Sequence, residues 1–170
     1  MTLPSNISAG QSILLLVASS GNVANAPAGY STRIETTQAP YLGVFYKVAN
    51  GTEGGTTVTV SGTSSPSACV VLNKGVIRIV GTPVVTATNS GTVSGIRGEE
   101  GSLTILMVGT TGNTATNPTI DTDFSLFLDV SSNQNDEMVL FSRVNKFTSQ
   151  IPDTTFTWVS PISAIMFSIQ

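Results

Sequence analysis

Leu42-Gly43-Val44-Phe45-Tyr46-Lys47-Val48 places Leu42, Val44, Tyr46 and Val48 on one side of an extended chain, the period of two that a half-buried strand demands. Thr57-Val58-Thr59-Val60 and Thr155-Phe156-Thr157-Trp158 alternate more cleanly, setting threonines toward water and large apolar groups inward. Turn residues separate these runs at Asn50-Gly51, Gly54-Gly55, Asn73-Lys74-Gly75, Asn89-Ser90-Gly91 and Ser131-Ser132-Asn133, where glycine and asparagine supply the backbone angles a reversal needs. No long stretch carries a 3.6-residue apolar stripe between caps. The expectation is an all-β chain, an antiparallel β-sandwich of jelly-roll-like form.

The chain also echoes itself. Ser12-Ile13-Leu14-Leu15-Leu16-Val17, just after Gly10, resembles Ser102-Leu103-Thr104-Ile105-Leu106-Met107, just after Gly101. Val44–Val48 corresponds to Leu140–Val144, Thr57–Ser61 to Thr155–Val159, and Pro66–Leu72 to Pro161–Phe167. Two related halves are therefore expected, about 10–74 and about 101–170, joined by a connection at about 75–100 within one domain spanning 1–170. A lone sheet from either half would leave an apolar face in water, so the halves must pack on each other or exchange strands. Pro83 cannot donate to a central ladder, so the connection is expected to hold an edge strand. Residues 1–9 read as an N-terminal arm, laid on a neighbouring subunit or frayed.

The 170 residues have a mean hydropathy of +0.25 with 40% hydrophobic and only 10% charged residues; about 25% charge is usual. Serine and threonine, roughly a quarter of the chain, take over the wetted surface. The net charge is −3, and Arg33, Lys47, Lys74, Arg78, Arg97, Arg143 and Lys146 are scattered. That leaves no footprint for nucleic acid or an anionic membrane. The run Ile13–Ala18 is too short to span a bilayer and no basic segment precedes it. The chain is expected to be made in the cytoplasm without a signal peptide, and the sequons at Asn6 and Asn50 carry no weight there.

Histidine is absent, which removes the commonest general base and metal ligand together. Cys69 sits in Ala68-Cys69-Val70-Val71-Leu72 and reads as a small core residue with nothing to activate it. The carboxylates are Glu35, Glu53, Glu99, Glu100, Asp121, Asp123, Asp129, Asp136, Glu137 and Asp153. Asp121-Thr122-Asp123 could set two acids on one side of an extended segment and suit calcium, but no calcium-loop glycine or distal glutamate completes the pattern. A solvated loop-to-strand junction is the preferred reading. Asp136-Glu137 and Glu99-Glu100 read as solvated turns, Gly51–Gly55 as a hairpin loop, and Trp158 as a core anchor rather than a stacking platform. A nucleophilic serine would need a base, and no Ser-x-x-Lys motif occurs. The chain is therefore expected to be no enzyme, with no catalytic residue, metal or cofactor. Low charge leaves its sheet edges poorly defended, so a homo-oligomer, a trimer, is expected.

The order Ala9–Val17, then Pro27-Ala28-Gly29-Tyr30, then Val44–Glu53, then Thr57–Gly62 resembles the jelly-roll-type β-sandwich modules of tailed-bacteriophage virion structural proteins, with the scheme repeated from Gly101 to Gln170. The resemblance implies a virion component without catalysis. A capsid decoration (cement) protein that binds between subunits of the major capsid protein is the preferred role, because no heptad or collagen-like stalk is present. A tail-fibre or baseplate adhesin, or another glycan-binding module for host attachment, is the alternative. Which edges or loops meet a partner is not read from the sequence.

Overall fold

The structure, a computed structural model, describes residues 1–21, 26–60, 67–73, 75–112, 117–131, 137–159 and 161–170. Strands in the first part are β1 (Ser12–Ser19), β2 (Ser31–Glu35), β3 (Tyr41–Val48), β4 (Ser67–Leu72), β5 (Ile77–Val80), β6 (Val84–Thr86), β7 (Ser90–Val93) and β8 (Arg97–Gly98). There follow β9 (Leu103–Thr110), β10 (Thr119–Ile120), β11 (Ser125–Ser131), β12 (Glu137–Val144), β13 (Ser149–Gln150), β14 (Thr154–Thr157) and β15 (Ile162–Ile169). The described residues contain no helix, and every strand pair is antiparallel.

Two sheets form the centre. One runs β2-β3-β1-β4 and the other β11-β12-β9-β15-β5, with β6 also paired to β15. Smaller sheets, β10-β14-β7 and β13-β8, lie beside them. Each central sheet is drawn from one stretch of chain, so the strand exchange of a jelly roll is not the arrangement seen. Between the central sheets Leu14, Leu16, Leu42 and Val44 meet Ile105, Met107, Leu140 and Phe167 in one core.

β3, expected to be half-buried, is instead buried on both faces from Leu42 to Tyr46, as are β1 and β15 at every position and β9 at nearly every one. A strand apolar on both faces needs cover on both faces. On the outer side of the first sheet, Ile13, Leu15, Val17 and Phe45 are covered by Leu3, Ile7, Val58 and Val60. On the outer side of the second, Leu106, Val108, Val139 and Met166 are covered by Phe156, Trp158, Val93 and Ile151. Four layers result rather than the two of a plain sandwich. Gly109 belongs to the central contact, since a Cβ there would stand 2.5 Å from Leu42 Cδ2.

Several expectations shift in detail. Val48, expected inward with Leu42, Val44 and Tyr46, is exposed at the end of β3. Thr57–Val60 forms no sheet strand, only an isolated bridge from Thr57 to Thr2, yet Val58 and Val60 do pack inward. Residues 1–9 are not extended away from the fold. Leu3 N–H donates to Thr56 O at 2.9 Å, Val58 N–H to Met1 O at 2.8 Å and Gly55 N–H to Pro4 O at 3.0 Å, with Leu3 and Ile7 buried. The outward-facing apolar side of β1, Ile13, Leu15 and Val17, is the physical reason, since something apolar must cover it. Within the connection, β5 closes an edge of the larger sheet, and Pro83 stands just outside β6, where its missing N–H breaks no ladder. Of the expected turns, Lys74 and 132–136 lie outside the described residues, as do Ser61–Pro66 and Ser160 of the echoed segments.

The entry into β1 and β9 is the same. Gly10 N–H donates to Ala49 O and Gly101 N–H to Asn145 O, both at 2.8 Å, with φ of +85° and +75° that glycine alone adopts cheaply. The next amides close the ladders, Ala49 N–H to Gln11 O and Asn145 N–H to Ser102 O. By this register Ser102 stands where Gln11 does, not where Ser12 does. The one-residue difference decides which face meets the core: Leu14 and Leu16 match Ile105 and Met107, all in the central layer.

Phe167→Ala, which removes a fully buried ring from the central layer, is predicted to cost about 3–5 kcal/mol in urea denaturation. Val48→Ala should stay within about 0.5 kcal/mol of the parent. Equal losses would contradict the layer assignment.

Candidate functional site

The polar cluster with the strongest electrostatics was not anticipated as a centre. Asn50-Gly51-Thr52-Glu53 follows β3 and turns the Glu53 carboxylate back under its own loop. Glu53 accepts from the amides of Asn50, Gly51 and Thr52 at 3.0–3.2 Å. Lys47 Nζ, from the end of β3, stands 2.8 Å from Glu53 Oε1. Asn50 Oδ1 in turn accepts from Thr52 N at 2.9 Å and Thr52 Oγ1 at 2.7 Å. Glu53 is 5% exposed. The Lys47 bond, assisted by the amides and opposed by desolvation, holds its pKa down to about 2. Three amides and an ammonium around one carboxylate make a clamp that fixes a loop; with its charge satisfied, the carboxylate has little proton affinity left for general acid or base work.

Beside the clamp lies a hollow of about 360 Å³ lined by Leu3, Pro27, Tyr30, Lys47, Glu53 and Thr57, among others. Lys47 Nζ stands 5.7 Å from the Tyr30 ring centroid. The Tyr30 hydroxyl is buried without a hydrogen-bond partner, and its pKa is pushed up to about 12, chiefly by burial, with the neighbouring Cys69 and Glu53 adding to it. Cys69 itself is half-buried and its thiol is pushed up by burial, which keeps it protonated and poorly nucleophilic.

The acids weighed from the sequence do not converge. Asp121 Oδ1 accepts the Thr155 amide at 2.8 Å, tying the β10 end to β14. Asp153 Oδ1 accepts the Gly95 amide at 2.8 Å. Asp123, Asp129, Glu35 and Glu100 are exposed, Glu99 is half-buried and Glu137 is buried on β12; Asp136 lies outside the described residues. Among the described residues no three acidic or cysteine side chains gather as a metal cage. Trp158 is buried in the outer layer against the second sheet, not presented to a ligand.

A second hollow, about 530 Å³, is lined by Asp123, Ser125, Ser142, Arg143, Lys146 and Phe147, among others. It adjoins the edge strand β11, whose Leu126 and Phe127 are 54% and 48% exposed. Val144 and Phe147, at the end of β12 and just beyond it, are 65% and 73% exposed. Large apolar groups therefore stand in water at this margin of the second sheet. The strand order places Leu126-Phe127-Leu128 at the border of the sheet.

No family model matches the chain, and neither the curated proteins nor the solved structures provide a significant match.

Glu53 has a folded pKa below its ordinary value of 4.5, so its stabilisation is present above that value and is lost as pH falls toward about 2. Glu53→Gln is therefore predicted to be less stable than the parent at neutral pH, with the gap in melting temperature closing as pH is lowered from 5 toward 2. A gap constant across that window would contradict the clamp.

Proposed function

We propose that this chain is a non-enzymatic structural protein of a bacteriophage particle, a capsid decoration protein that stabilises the head by binding between capsid subunits. The observation that carries this reading is how its side chains are used. Glu53, Asp121 and Asp153 are committed to holding loops, while the conspicuous unspent surface is the apolar margin of β11 and Phe147. A binding margin on a rigid four-layer body suits a protein that clamps others together. The resemblance to phage virion modules points the same way. The partners on this reading are the major capsid protein or another virion protein and further copies of this chain, with the virion as the location.

The same reading includes descent from two related halves. The orders β2-β3-β1-β4 and β11-β12-β9-β15 match strand for strand, and the glycine entries into β1 and β9 share their hydrogen bonds. The covering segments containing Val58 and Phe156 take equivalent places outside their sheets. This supports duplication without the strand exchange of a jelly roll.

One observation favours the alternative, a tail adhesin or glycan-binding module: the hollow at Tyr30 pairs an aromatic ring with the threonines Thr56, Thr57 and Thr59. Sugars are held by such rings and hydroxyls.

Mass spectrometry and antibody labelling of purified particles are predicted to find the chain on heads, in a copy number matching the capsid lattice. Its absence from heads, or its presence on tails alone with binding on a glycan array, would overturn the decoration role in favour of the alternative.

A further inference from the structure

The two central sheets end in edges that are defended differently. β2 closes the first sheet with Ser31, Thr32, Arg33 and Glu35 in solvent and only Ile34 buried. β11 closes the second with Leu126, Phe127 and Leu128 exposed. Both edges carry a bulge, between Thr32 and Ile34 and between Leu126 and Leu128. β2 sets two charges, Arg33 and Glu35, in solvent against another strand, whereas β11 has the single charge of Asp129 among its apolar residues.

We propose that β11 pairs antiparallel with β11 of a second copy of this chain, joining two six-stranded sheets across a two-fold axis. The charge pattern selects the second copy as occupant. A two-fold contact must bring a patch to itself, so the patch needs both signs at complementary places. Ser125 lies opposite Ser142, one residue before Arg143, whereas Asp129 lies toward the other end, opposite Val139. Antiparallel pairing therefore sets Asp129 of each copy toward the Arg143 end of the other.

The faces agree as well. Val139 and Phe141 both point to the outer core, so Asp129, opposite Val139, and Arg143, two residues beyond Phe141, share that face. Placing Leu126 against Asp129 of the second copy and Ser125 against Val130 keeps each of these two cross-strand pairs on a common face, because Leu126 lies opposite Phe141, Ser125 opposite Ser142 and Val130 opposite Met138. Phe127 then meets Leu128 of the second copy at the centre, and these side chains leave water. Such a contact joins copies in twos, and so replaces the trimer expected from composition. It stands whether or not the chain decorates a capsid.

Analytical ultracentrifugation tests this directly. The wild-type chain should sediment at twice its mass of 17.6 kDa, and Phe127→Lys, at an exposed position, should sediment at the single mass with an unchanged circular dichroism spectrum. Thr32→Lys on β2 should remain paired. Hydrogen exchange should show the β11 amides protected in the wild type and released in Phe127→Lys. A wild-type monomer at hundreds of micromolar, a trimeric mass, or a Phe127→Lys chain that stays paired would each overturn the proposal. Head labelling is a separate readout, so failure here leaves the particle role standing and failure there leaves the pairing standing.

Discussion

β1, β9 and β15 are buried on both faces, and that constraint organises the rest of the molecule. A strand in the middle of a sheet has its main chain satisfied by its neighbours, but its side chains point both ways. Where both sets are apolar, one packing partner is not enough. The central core between the sheets satisfies Leu14, Leu16, Ile105 and Met107. The outward residues Ile13, Leu15, Leu106 and Val108 then call for two further layers. The N-terminal segment, the Thr57–Val60 stretch and the small sheet around β14 owe their positions to this need.

The polar chemistry is subordinate to the same architecture. Segments that cross an outer face must reverse at its rim, and each reversal leaves amides to be satisfied. Glu53 meets three of them below β3, Asp121 and Asp153 one each near β14. Buried Asn145 does similar work at the start of β9, donating to Ser102 Oγ and Thr104 Oγ1 at 2.9 Å. Glu53, Asp121 and Asp153 are thereby occupied as structural acceptors.

Much of this was legible from residues alone. The shared face of Leu42, Val44 and Tyr46 and the inward Phe156 and Trp158 follow from local rules, because each depends on which side a side chain points, whereas the Ala68–Leu72 run, read as core, is only half-buried beyond Ala68. The layer count did not follow. A continuous run such as Ile13–Val17 states that both faces are apolar but not what covers them, and the cover comes from Leu3 and Ile7, short apolar residues in a segment that reads as an arm. Register was similarly hidden: aligning Ser12 with Ser102 is natural by eye, whereas the ladder from Gly10 and Gly101 displaces it by one residue. Glu53 gave a faint signal, a carboxylate two residues after the Asn50-Gly51 pair and six after Lys47. The fate of Leu126–Leu128 depended on strand order, which no local pattern encodes.

The central claim is that the two halves hold each other folded through the layer they share. Native-state hydrogen exchange across a denaturant series tests it most directly, by following the amides of β1, β9 and β15. They should exchange only through one common opening whose free energy equals that of global unfolding. Separate openings, with β1 and β3 released at a lower free energy while β9, β12 and β15 stay protected, would show two bodies that fold alone and would contradict the account.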